Sequence, residues 1–175
     1  MITIRQTTLK PQDLLVALKL AVNPTRDYLL VELSRELSMP LSVVHGCIQR
    51  AELAKLVSRA SGSIRPLRPA VKEFVIHGAK YAFPAQLGSS TRGVPTAIGA
   101  PVLASHFEKV EVPPVWPSPM GTHWGVSVPP LHSAVLSAIE QDNPLYDALS
   151  LLDALRVGAA REREIALREL ELRFG

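Results

Sequence analysis

The sequence predicts a mainly α-helical protein with one short β-hairpin, and three observations carry that expectation. Apolar residues recur with a helical period along residues 9–83 and again along residues 131–174. Between these zones, residues 84–130 hold nine of the fifteen prolines and five of the ten glycines, too many for helix. Within the first zone, Val57-Ser58-Arg59-Ala60 and Ile64-Arg65-Pro66-Leu67-Arg68 flank Ser61-Gly62-Ser63, the layout of a hairpin with basic residues on both arms. The expected organisation is therefore 1–83, 84–130 and 131–175.

Taken in order, Pro11 suits the first turn of a helix that presents Leu14, Leu15, Leu18, Ala21 and Val22 to one side. Asn23-Pro24 reads as a cap and first residue of a second helix, with Leu29, Leu30, Leu33 and Leu37 on its apolar face. Ser38-Met39-Pro40 ends it. A third helix follows over about 41–55, burying Val44, Cys47, Ile48 and Ala51. After the hairpin, residues 69–83 read as a helix that turns Val71, Phe74, Val75, Ala79 and Phe83 inward. Residues 84–130 hold Val102, Phe107, Trp116, Trp124 and other apolar side chains in excess of a free linker, so the expectation is ordered, irregular chain with short extended pieces. Helices are expected over about 133–141, from Asn143-Pro144 through Leu155, and from about 161 onward. In the last, opposite charges three and four residues apart support one another.

The stretch Glu36 to Arg50 is the most informative. Two short helices across a tight turn can lock together only through regularly spaced apolar residues, here Leu33 and Leu37, Met39, then Val44 and Ile48. The second helix of such a pair projects outward and fits the major groove of DNA, about 12 Å wide. Its outward positions include Ser42, Val43, His45, Gln49 and Arg50: hydrogen-bonding groups for base edges and phosphates, and a methyl-bearing side chain for thymine. Arg59, Arg65 and Arg68 in the hairpin suit phosphates or the minor groove.

Residues 26–68 resemble the winged helix-turn-helix domain of MarR-like bacterial transcriptional regulators. The resemblance rests on the Glu36-Leu37-Ser38-Met39 turn, on Val44, Ile48 and Arg50, and on Leu53-Ala54-Lys55-Leu56-Val57 leading into the wing. Pro40 stands where a capping Ser or Thr is common, Gly46 where a polar residue is usual, and Lys55 where Gly often precedes the wing. The resemblance implies a DNA-binding regulator, most often a repressor, acting on double-stranded DNA as a homodimer. Two rivals share the residues: an antitoxin-type DNA-binding protein that holds a partner protein through residues 84–175, and an adaptor whose winged helix binds protein alone.

Charge supports the division of labour. Residues 1–70 carry ten Lys/Arg against five Asp/Glu, whereas residues 131–175 carry five against eight. An anion-facing front and a dimerising or partner-binding back are expected from that asymmetry. No catalytic, cofactor or metal role is expected: His106, His123 and His132 lack metal-ligand spacing, and no phosphate-cradling glycine loop or nucleophile elbow occurs. Cys47 stands alone, no apolar run reaches roughly 18 residues, and Met1–Gln6 lacks a secretory layout, which together point to the cytoplasm.

Overall fold

The computed structural model describes residues 7–175, so Met1–Gln6, where a secretory layout was sought, lies outside the described residues. The protein is mainly α-helical. α1 (Pro11–Val22) is buried all round from Leu14 to Ala21, as a helix with apolar residues on every side must be. α2 (Leu30–Glu36) and α3 (Leu41–Leu53) pack beside it. A two-stranded antiparallel ribbon follows, β1 (Val57–Ser58) and β2 (Arg65–Pro66), with Ser58 opposite Arg65. α4 (Arg68–Glu73), one π-helical turn at Phe74–Gly78, and α5 (Ala79–Ala82) then form a nearly continuous rod.

α2 begins six residues later than Pro24. Asn23 ends α1 instead: its side-chain amide donates to the Lys19 carbonyl (2.9 Å) and to Asp142 Oδ2 (3.0 Å), and no helix starts at Pro24 for it to cap. Tyr28 is buried under the Arg26 guanidinium, 4.2 Å from its ring centroid, and residues 26–29 lie outside any helix. The start of α2 is instead satisfied by Glu32, whose carboxylate accepts from the Leu29 amide at 2.8 Å.

Residues 84–130 are more regular than expected. β3 (Ser90–Pro95), β4 (Pro114–Pro117) and β5 (His123–Ser127) close into a three-stranded barrel, β3 antiparallel to both partners and β4 parallel to β5. The ring is narrow, with Val115 buried against Gly93 and Gly125 of the other two strands. A Cβ on Gly125 would lie 1.9 Å from the Pro113 carbonyl oxygen, and one on Gly93 would lie 2.1 Å from that of Trp116. α6 (Pro101–Ala104) fills the long connection from β3 to β4.

The barrel is pinned to the helices by one buried carboxylate. Asp153 accepts from Trp116 Nε1 (2.6 Å), Thr96 Oγ1 (2.8 Å) and the Arg156 guanidinium (2.7 Å). Burial pushes the Asp153 carboxyl upward, against the pull of Arg156 and the two neutral donors. Tyr146 adds a hydroxyl bond to the Pro95 carbonyl.

α7 (Val135–Ala138) is shorter than the 133–141 expected, and it leads to α8 (Asn143–Val157) and α9 (Ala160–Phe174). The cap of α8 is Asp142 rather than Asn143: its Oδ1 accepts from the Leu145 amide at 3.0 Å. A single hydrophobic core runs from Leu14 to Phe174 and draws on all three sequence zones. The apolar residues of α8, expected to serve dimerisation or a partner, lie inside that core, with Leu145, Leu149, Leu151 and Leu152 at most 1% exposed. Among the described residues, no helix is long and apolar enough to cross a membrane.

Candidate nucleic-acid interface

The turn between α2 and α3 is built by backbone geometry, with no glycine. Ser38 takes a left-handed φ of 51° just past the end of α2. The Ser38 amide then donates to the Arg35 carbonyl and the Met39 amide to the Ser34 carbonyl, the paired bonds of a Schellman motif. Ser34 Oγ donates to the Met39 carbonyl at 2.6 Å, and Met39 itself is buried. Pro40 follows with φ −54° and starts α3 without needing an amide donor. Leu33, Leu37, Met39, Val44 and Ile48 are all buried, and α2 and α3 pack against one another.

α3 ends by the same device. Lys55 adopts φ 60°, the Lys55 amide donates to the Glu52 carbonyl, and the Leu56 amide donates to that of Ala51. This fixes where the chain enters β1, and so where the ribbon stands relative to the helix. A left-handed φ of this kind is one that glycine adopts without steric cost.

The eight residues singled out in the sequence divide into three groups. Ser42, His45 and Gln49 are exposed and share one stripe of α3, spaced three and four apart. Among the described residues their side chains make no hydrogen bond to the rest of the protein. Arg59 and Arg65 flank the ribbon and are 40% and 47% exposed, but each holds a carboxylate. Arg59 grips Glu52 through Nε (2.8 Å) and Nη2 (2.6 Å); Arg65 reaches Asp27 at 2.6 Å. The guanidinium of Arg59 holds the Glu52 carboxyl below its ordinary range.

The third group turns inward. Arg50, expected on the outer face of α3, folds back to form a bidentate pair with Asp13, Nε to Oδ2 and Nη2 to Oδ1, both 2.8 Å. Asp13 is 0% exposed and also accepts from the Lys10 amide, so it ties the start of α1 to the middle of α3. Gly46 leaves room for the guanidinium: a Cβ there would sit 3.2 Å from Arg50 Nη1, which would have to give by a few tenths of an ångström. Arg68 belongs to α4 rather than to the hairpin, and it donates to the carbonyls of Ala21 (3.1 Å) and Arg173 (2.8 Å). Val43 is half-buried and lines a groove with Met39, Pro40, His132 and Ala134.

A residue the sequence pattern did not single out is Lys55, exposed between α3 and the ribbon and without an ion pair among the described residues. Its cue was its place in the helix-ending motif. Leu41 and Leu53, 50% and 62% exposed, bracket the polar stripe.

Cys47 is fully buried, and burial together with Asp13 pushes its thiol up to about 12, away from the thiolate form. Among the described residues, no group of three or more His, Cys, Asp or Glu is placed to hold a metal ion. Behind the interface, Lys19 is 3% exposed and donates to Asp142 (2.6 Å) and Glu36 (2.8 Å), which in turn holds Arg26. That network locks α2 onto α1 and the start of α8. Comparison of the chain with known protein families, with curated proteins and with solved structures found no match.

Proposed function

We propose that this protein binds duplex DNA through a winged helix-turn-helix and regulates transcription in the manner of the MarR-like proteins its sequence resembles. α2 and α3 are the paired helices, α3 is the reading helix, and the β1–β2 ribbon is the wing. One observation carries the reading: Ser42, His45 and Gln49 form a single outward stripe whose hydrogen-bonding groups are uncommitted among the described residues. Such groups suit base edges in the major groove. Arg59 and Arg65 stand beside them. Their carboxylate partners are exposed, and exposed pairs are weak and screened by salt, so phosphates can replace the carboxylates. Repression by occluding a promoter in the cytoplasm, with a second copy reading a second half-site, completes the proposal.

The test is binding of the full chain to genomic DNA fragments at low salt. Replacing Ser42, His45 and Gln49 together by alanine should abolish preference among fragments while leaving weak, salt-sensitive binding. Arg59→Ala/Arg65→Ala should weaken every fragment alike and reduce the salt slope by about 2, since each phosphate left without its arginine removes roughly 0.9. Absence of binding to any fragment would sink the reading, as would binding that neither set of replacements changes.

A further inference from the structure

The two tryptophans occupy opposite situations on the barrel. Trp116 on β4 is 1% exposed and packs toward α8, where Asp153 takes its indole N–H. Trp124 on β5 is 64% exposed. Directly across from it on β3 stands Arg92, also exposed. In an antiparallel pair, residues opposite one another project from the same face with Cβ atoms about 4.5–5.5 Å apart. The register therefore puts an exposed indole and an exposed guanidinium on the same face of the barrel.

The surroundings select the ligand. The three strands and the β4–β5 loop include no aspartate or glutamate; the acids of this segment, Glu108 and Glu111, lie in the connection from β3 to β4, where Glu108 lines a pocket with His123. Arg92 makes no ion pair among the described residues, in contrast to Arg59 and Arg65. An unopposed cation and an exposed aromatic plane on one face together attract anions that carry a flat apolar ring. The neighbours of the pair are polar: Ser90 lies two residues along β3, and Thr122 and His123 precede Trp124. A membrane-seated surface needs a broad apolar face, which these residues do not provide. A nucleotide in an unstacked strand combines a planar base with a phosphate, and base–aromatic stacking beside a cationic groove is how proteins hold single strands without sequence preference.

We infer that the Arg92–Trp124 face of the barrel binds single-stranded nucleic acid, Trp124 stacking a base and Arg92 pairing with an adjacent phosphate. This site is separate from α3 and the ribbon, and it stands without the duplex proposal.

The experiment uses the full chain and a fluorescein-labelled oligothymidylate at low salt, followed by anisotropy and by quenching of tryptophan emission. The wild type should bind with quenching. Trp124→Ala and Arg92→Ala should each weaken binding about tenfold, and Trp124→Phe, which keeps an aromatic plane, should stay within a few-fold of wild type. Circular dichroism identical to wild type shows that the variants are folded. Arg59→Ala/Arg65→Ala should bind the oligonucleotide as wild type does, even if that variant loses duplex fragments. The inference is overturned if wild type fails to bind the oligonucleotide, or if folded Trp124→Ala binds as tightly as wild type. It is equally overturned if the ribbon variant loses binding in parallel, or if Trp124 proves necessary only for phosphatidylglycerol vesicles.

Discussion

Replacing Arg50 by alanine separates the sequence-based role of this residue from its structural one. The side chain is 23% exposed and its partner Asp13 is 0% exposed, so the variant leaves a buried carboxylate with one backbone donor, the Lys10 amide. Breaking a fully buried pair costs about 3–5 kcal/mol. Because Arg50 is partly in contact with water, the expected cost falls just below that range, at about 2–3 kcal/mol. For a chain of this size, each kcal/mol moves the melting midpoint by about 2–4 °C, so Arg50→Ala should melt about 4–12 °C below wild type. Asp13→Ala/Arg50→Ala should be less destabilised than the sum of the single changes, since the second change removes the orphaned charge. Thermal unfolding followed by circular dichroism measures both. An Arg50→Ala protein with wild-type melting and selectively lost DNA binding would refute the structural role and restore Arg50 to the DNA-facing surface.

Two further outcomes follow from named geometry. Lys55→Gly should stabilise the protein by roughly 0.5–1 kcal/mol in denaturant titration, because a left-handed φ costs a residue with a Cβ about 1–2 kcal/mol and glycine gives back part of that in chain entropy; destabilisation would show that the Lys55 side chain itself supports the ribbon. Acid should weaken the anchoring of α2: burial raises the Glu36 pKa, but hydrogen bonds from Lys19 and Arg26 outweigh it and leave the value below the ordinary 4.5. Ionised Glu36 then contributes stability above pH 4.5, lost as pH falls through the lowered folded value, and Glu36→Gln should flatten that acid limb of stability against pH; an unchanged slope would remove Glu36 from the account.

The helices were legible because their information is local. The 3.6-residue apolar period marks α1, α3, α8 and α9, and Ser61-Gly62-Ser63 marks the ribbon turn. Helix ends were less legible because caps are chosen by tertiary competition. Asn23 reads as the start of a helix, yet it ends α1, its amide donating to Asp142, 119 residues away. Ser38 and Lys55 hold left-handed turns where a glycine would have announced them. The barrel was hidden for a different reason. Strands of four to six residues broken by prolines carry little alternation, and the parallel β4–β5 pairing arises only when β3 lies between its two partners. Gly93 and Gly125 were the available signal, since a glycine within an extended, apolar-rich run marks close backbone approach.

The same distinction bears on the charge count. Ten cations against five acids in the first 70 residues suggest an anion-seeking surface, but ion pairing redistributes them. Lys19 and Arg50 are committed to buried carboxylates, and Arg68 to two backbone carbonyls. Moving any of these to a phosphate would leave a buried polar group unsatisfied, which costs more than a solvent-exposed phosphate contact returns. Arg59 and Arg65 hold exposed carboxylates that water can solvate once they are released. The cations free to meet an anion are therefore fewer than composition implies: among the described residues, Lys55 and Arg35 are exposed without an ion pair, Arg59 and Arg65 on the ribbon hold exposed partners, and none of these four lies on α3. If α3 reads bases, it must do so through neutral hydrogen bonds from Ser42, Gln49 and His45. Affinity would then titrate with salt through the ribbon, while discrimination between sequences would be nearly independent of salt.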